Sequence, residues 1–250
     1  SGRMNLEEFI DRLSYWISPG KKDPKAPSSI FFIHEAEVID GIFQLDDFQT
    51  IDEGTPSHFD IAHFSIEKIN SKVKEFYVKD DTIALQTIGL SGIDPDTKFK
   101  IKSLDTKFLI SDKQMRFDQL SLWFNDSWLK NKVVMNYANK GSLSDWNTKV
   151  NMQANFDNSK ILGEDLGRFV AAMNDYKGVY RLKGQLNGTV EQLNLKGFEL
   201  GFGTKSVLKG DFSFKGLPNV RKTLMNFNMK NSLLSEKNFR QALGYALPKF

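Results

Sequence analysis

With 250 residues the chain has room for one large β or α/β unit or for two small domains, and in either case for a real core. Thirty-four Lys and Arg against 31 Asp and Glu leave a net charge of +3, too small a bias to point to nucleic acid. Zero cysteines exclude a disulfide scaffold, a thiolate metal site, an iron–sulfur cluster and a cysteine nucleophile. Three histidines leave little for metal ligation or general-base work.

Residues 1–4 read as a cloning scar, and 5–29 as an amphipathic helix with a linker. Leu6, Phe9, Ile10, Leu13, Trp16 and Ile17 share one stripe, Asn5 and Glu8 have capping-box spacing, and Pro19-Gly20 stops the helix. The polar, proline-broken run from Lys21 to Pro27 then leaves that helix free to dock on the body or to reach toward a membrane or the upstream chain. No run of eighteen apolar residues occurs, so no membrane span is expected within these residues, and no signal peptide opens them. The chain reads as a fragment of something longer.

From Ile30 the hydrophobic period changes from 3.6 to 2. Alternation runs through Phe99–Ile101, Leu104–Ile110, Met115–Phe117 and Leu120–Phe124, and returns in Val150–Phe156, Tyr180–Leu186, Leu193–Leu195, Phe198–Phe202 and Asp211–Phe214. About a dozen strands at the 8 to 12 residue spacing of antiparallel architecture are expected. Two short helices interrupt them, near 164–173 and 235–245, the first with Leu166, Phe169, Val170 and Met173 on one side and the second with Phe239, Ala242 and Leu243.

What these apolar faces pack against decides the fold. Almost every strand alternates with Lys, Asp, Asn, Thr or Ser, so none reads as buried on both faces, and the unusual ingredient is 21 Phe against 6 Tyr and 4 Trp. The expectation is a mostly β protein: over 30–250, one elongated, curved antiparallel sheet forming a hydrophobic groove (a β-taco), with a few short amphipathic helices.

The sharper chemical candidates are weak. Gly201-Phe202-Gly203-Thr204-Lys205 lacks the glycines and the following helix of a phosphate loop and reads as a hairpin turn. Asp94-Pro95-Asp96 has no glutamate to close a calcium loop, and His34, His58 and His63 have no metal spacing. Neither Ser14 nor Ser235 has a catalytic partner set. Asn187-Gly188-Thr189 is formally a glycosylation acceptor but reads as a strand glycine. No enzyme activity, cofactor or metal is expected.

Several segments, in order, resemble the TamB and AsmA-like family of diderm bacteria in its Bacteroidota form. They are the Ile33–Asp46 strand pair turning at Gly41, Ile83-Ala84-Leu85 to Leu90-Ser91-Gly92, and Ser127-Trp128-Leu129. Ser159-Lys160-Ile161 with Asp165, Leu166 and Phe169 follows, then Leu186-Asn187-Gly188-Thr189-Val190 and Lys215-Gly216-Leu217-Pro218-Asn219-Val220. The resemblance implies a periplasmic β-groove, held to the inner membrane by a helix upstream of these residues, that shields phospholipid acyl chains on their way to the outer membrane. As the alternative, it also suggests a structural or chaperone-like module assisting outer-membrane protein assembly and translocation, for which a BamA/TamA-like barrel is the candidate partner. The lipid-contacting candidates, taken from the alternating apolar faces, are Ile33, Val38, Phe43, Phe99, Ile101, Phe108, Ile110, Phe117, Leu120, Leu122, Val150, Met152, Phe156, Leu182, Leu186, Leu193, Leu195, Phe198, Leu200, Phe212 and Phe214. The competing expectation is that these side chains fill a closed sheet and touch only one another.

Overall fold

The alternating segments fold as one antiparallel meander. The computed structural model describes residues 30–46, 63–168, 177–219 and 222–243. Its strands are β1 (Ile30–Asp46), β2 (His63–Lys79), β3 (Thr82–Ile93), β4 (Lys100–Ile110), β5 (Gln114–Phe124), β6 (Ser127–Asn136), β7 (Asn151–Leu162), β8 (Val179–Gly188), β9 (Gln192–Phe202), β10 (Ser206–Lys215) and β11 (Leu224–Met229). All eleven lie in a single sheet whose spatial order is the chain order, and the sheet is curved and does not close. With neighbours ~4.8 Å apart, eleven strands make a sheet about 48 Å long across the strands.

The eleven strands agree with the expected number of about a dozen, although several short alternating segments are halves of one longer strand. Leu193–Leu195 and Phe198–Phe202 both belong to β9, and Met115–Phe117 and Leu120–Phe124 both belong to β5. The break between the halves is a β-bulge, which adds one residue and resets the alternation. Such bulges recur near mid-strand from one pair to the next: register shifts fall at Thr87/Leu90, Asp105/Lys107, Phe117/Leu120, Trp128/Asn131, Phe156/Ser159, Lys183/Gln185 and Gly210/Phe212. Backbone at positive φ marks the line at Gln119, Asn131, Asn158, Gly184 and Gly197. Because a bulge bends its strand, this row of bulges creases the whole sheet lengthwise.

Short helical pieces are added at the margins: a 3₁₀ turn (Lys140–Asp145), α1 (Trp146–Lys149), α2 (Gly163–Gly167) and α3 (Glu236–Leu243). Of the two helices expected within the sheet region, the first is described only as far as Arg168 and the second as far as Leu243. In α2 the buried residues are Gly163, Asp165 and Gly167, and Leu166, the described member of the expected apolar stripe, packs against the Tyr180, Phe202 and Ala242 cluster. Phe169, Val170 and Met173, the N-terminal helix, its linker, His58 and the residues past 243 lie outside the described residues. Among the described residues no helix is long and apolar enough to cross a membrane.

Candidate apolar groove

Residues directly opposite in an antiparallel pair share a face, so the registers assemble the groove row by row. One row crosses every strand: Phe31, Val78, Ile83, Ile110, Met115, Met135, Met152, Gly188, Leu193, Phe214 and Met225. The next row, two residues nearer the crease, is Leu85, Phe108, Phe117, Val133, Ala154, Leu186, Leu195, Phe212 and Phe227. Beyond the crease the face continues as Leu90, Leu104, Leu122 and Leu129, and as Leu182, Leu200 and Leu208. Each bulge preserves this: the extra residue lets Phe117 and Leu120, three apart, point to the same side.

The candidate lining residues all fall on this face, in three states. Leu120, Phe198 and Phe212 are buried within it, and Phe99 and Val150 are buried where their strands begin. Phe43, near the open end of β1, is 44% exposed. The others, Ile33, Val38, Ile101, Phe108, Ile110, Phe117, Leu122, Met152, Phe156, Leu182, Leu186, Leu193, Leu195, Leu200 and Phe214, are half-buried. Val78, Ile83, Leu85, Leu104, Met135 and Phe227 share the face without being among the lining candidates, although they keep the same alternation once a bulge residue is allowed.

The described aromatic contacts on this face run sideways along a single layer. Phe108 and Phe117, register partners, have ring centroids 5.0 Å apart, Phe99 and Phe124 are at 5.3 Å, and Phe212 and Phe227 at 5.6 Å. No second sheet interleaves with these rings among the described residues. Two small clusters roof parts of the face instead. Tyr180, Phe202 and Ala242 bring α3 over one side of the crease, with Leu182, Leu200, Leu208 and Phe239 around them. On the other side Met135, Tyr137 and Val150 pack with Leu143 of the 3₁₀ turn. Tyr180 Oη donates to the Ala242 carbonyl at 2.5 Å, fixing the first roof.

The opposite face is polar and ion-paired. Glu35 meets Lys72 at 2.8 Å and Lys74 at 3.3 Å, and Asp118 bridges Arg116 at 2.6 Å and Lys132 at 3.0 Å. The Lys72 hydrogen bond holds the Glu35 carboxyl below its ordinary range, and Glu35 in turn raises Lys72. Lys102 and Lys160 lie over the rings of Trp123 and Trp128 at 5.5 and 4.9 Å. The expectation that no strand is buried on both faces fails at two places: Ala84 beside Ile83, and Val134 beside Met135. Ala84 is small and flanked by Tyr77 and Leu109, and Val134 lies between Arg116 and Gln153, whose stems shield it.

The chemically suggestive motifs resolve into turns. Residues 203–205 are the tight turn joining β9 to β10. Asp94 is occupied by its own loop, Oδ1 accepting from Asp96 N–H at 2.8 Å and Oδ2 from the Thr97 hydroxyl at 3.0 Å. His34 pairs with Glu75 at 2.9 Å on the exposed face.

Comparison with protein-family profiles, with curated proteins and with solved structures returns no match to this chain. Its functional reading therefore rests on the groove itself.

Proposed function

We propose that this chain is a segment of a periplasmic lipid-transfer protein of the TamB and AsmA-like kind, in which the apolar face shelters phospholipid acyl chains between inner and outer membranes. One observation carries the reading: rows made mostly of Phe, Leu, Ile, Val and Met cross the sheet from strand to strand, yet most of these side chains are only half-buried. A folded chain that leaves so much contiguous apolar surface accessible has an occupant in prospect. The energetics suit a lipid. Exposing about 30 methylenes to water costs ~0.8 kcal/mol each, on the order of 20 to 25 kcal/mol per phospholipid, and a continuous apolar trough removes most of that barrier. Uniform rows also avoid one deep pocket that would hold a lipid too tightly to pass it on, while the head group rides in water at the rim.

The test is native mass spectrometry of the purified chain followed by lipid extraction. Co-purifying phospholipid, and uptake of fluorescent phospholipid from vesicles by the delipidated protein, are the expected results. Absence of both, with unfolded outer-membrane strands binding the same face instead, would move the assignment to the assembly-assisting reading.

A further inference from the structure

The two edges of the open sheet are built differently, and the difference identifies one of them as an interface. Exposed large hydrophobic side chains concentrate on the edges: Ile30, Phe32, Ile39, Ile42 and Phe43 on β1, and Leu224, Phe227 and Met229 on β11. An unpaired edge is normally blunted by charge, by a bulge or by proline. β1 has such devices, with Glu35, Glu37 and Asp40 along it, Asp40 at φ 51° and register shifts on both sides of Gly41. β11 has none. Its six residues, Leu-Met-Asn-Phe-Asn-Met, hold no charge, proline or glycine, the composition of a pairing-competent segment. Among the described residues β11 pairs only with β10.

The sequence of β11 also fits itself. Met225-Asn226-Phe227-Asn228-Met229 reads the same in both directions about Phe227. In an antiparallel pair centred there, Phe227 faces its own copy, Asn226 faces Asn228 and Met225 faces Met229. Both strands then present Met and Phe to the apolar face and Asn to the polar face. The flanking lysines do not collide in this register: Lys230 falls opposite Leu224 and Lys222 opposite Ser232. We propose that β11 is a dimerisation edge, at which a second copy of this chain adds its own β11 by a two-fold axis through Phe227. A two-fold, isologous contact of this kind closes after two copies and leaves the charged β1 edges outermost. The product is one continuous sheet of twice eleven strands, about 100 Å long at ~4.8 Å per strand, with the apolar rows crossing the junction. This inference uses the edge geometry alone and stands whether or not the groove carries lipid.

Sedimentation-velocity analysis of the full chain tests it, with circular dichroism reporting the fold. The wild type should sediment as a dimer. Combining Asn226→Lys with Asn228→Lys places like charges opposite each other across the new pair, on exposed positions that do not disturb the monomer, and should give monomers. Combining Asn226→Glu with Asn228→Lys places opposite charges in the same positions, with the new lysine opposite Asp211 of its own chain, and should restore the dimer. Because the chain has no cysteine, a single Phe227→Cys variant should link to itself on mild oxidation, while Ile39→Cys on β1 should not. A monomeric wild type, a dimer indifferent to the charge exchange, or cross-linking through β1 rather than β11 would each overturn the proposal.

Discussion

Phe156 and Phe198 stand on strands that are not neighbours, and their rings nevertheless meet, 6.4 Å apart, over the backbone of Gly184 on the strand between them. Gly184 has φ +124°, and a Cβ there would sit 2.6 Å from the Cα of Phe198 and 2.7 Å from the carbonyl oxygen of Gly197. The missing side chain thus lets β8 and β9 approach at the crease and leaves room for two rings above. Gly184→Ala should cost at least about 2 kcal/mol, because the clash is with backbone that cannot swing aside. Gly197→Ala, at φ +54° with nothing within 4 Å of the new methyl, should cost about 1 kcal/mol. Urea unfolding of the two variants measures the contrast; equal losses would mean that close approach is not what Gly184 provides.

The half-buried and buried members of the apolar face should respond oppositely to a carboxylate. Leu122 and Leu195 are half-buried and outside both roofing clusters, whereas Phe212 is 4% exposed with its ring edge-on to its register partner Phe227. Leu122→Asp and Leu195→Asp should keep the fold within about 1 kcal/mol and lose most bound phospholipid. Phe212→Asp should cost more than about 3 kcal/mol, since its charge has no route to water. Lipid retained by the two leucine variants would show that the rows are not the binding surface.

How far the fold was legible follows from the bulges. The period-2 signal in Met115–Phe117 and again in Leu120–Phe124 was readable because each run keeps a strict phase. The step of three between Phe117 and Leu120 looked like a break between strands, whereas Gln119 at φ 53° absorbs the extra residue within one strand. Strand type, meander order and a one-sided apolar face were therefore readable from the residues, but strand length and the lengthwise crease were not. The roofing contacts were hidden for another reason: Tyr180 to Ala242 and Met135 to Leu143 are tertiary meetings that no local pattern encodes. The anchor of α2 escaped similarly, because an aspartate in a short helix reads as an ordinary first-turn acid until its partners are placed.

That anchor is Asp165, a 4% exposed carboxylate that accepts from Asn125 Nδ2 at 2.6 Å and from Ser127 Oγ at 2.5 Å. Ser127 Oγ in turn accepts the Leu162 N–H at 2.8 Å, so one hydroxyl links β6, the end of β7 and α2. Arg168 reaches from the same helix to the Thr97 carbonyl. Asp165→Ala leaves the Asn125 amide and the Ser127 hydroxyl without their acceptor and should cost about 2 to 3 kcal/mol. Hydrogen exchange locates the damage: the Leu162 amide should lose protection in Asp165→Ala and in Ser127→Ala while amides of β2 and β3 stay protected. Uniform loss of protection across the sheet would show that the link is not local.

The corner where the β2–β3 and β4–β5 turns meet the end of β6 should set a pH window. Burial, and then the charges of Asp112 and Asp81, push the Tyr137 phenol up to about 12, while its hydroxyl donates to the Ser111 carbonyl at 2.9 Å. The phenol of an unfolded chain titrates near ~10. Below that value both states keep the proton and the contribution to stability is constant; between about 10 and 12 the unfolded chain releases it first, so stability falls as pH rises. Asp81 works at the acid side: the Asp112 N–H, donating at 2.8 Å, holds its carboxyl below the ordinary range, and the resulting stability is present above ~3.9 and lost as the carboxylate is protonated. Tyr137→Phe should therefore be less stable than wild type by about 1 kcal/mol near neutrality, through loss of the Ser111 hydrogen bond. Its disadvantage should shrink or reverse by about pH 11, where only the wild type must hold a phenol neutral against solution. Lysine titration is common to both proteins and cancels in the difference, so parallel urea midpoints from neutrality to alkaline pH would refute the assignment of this descent to Tyr137.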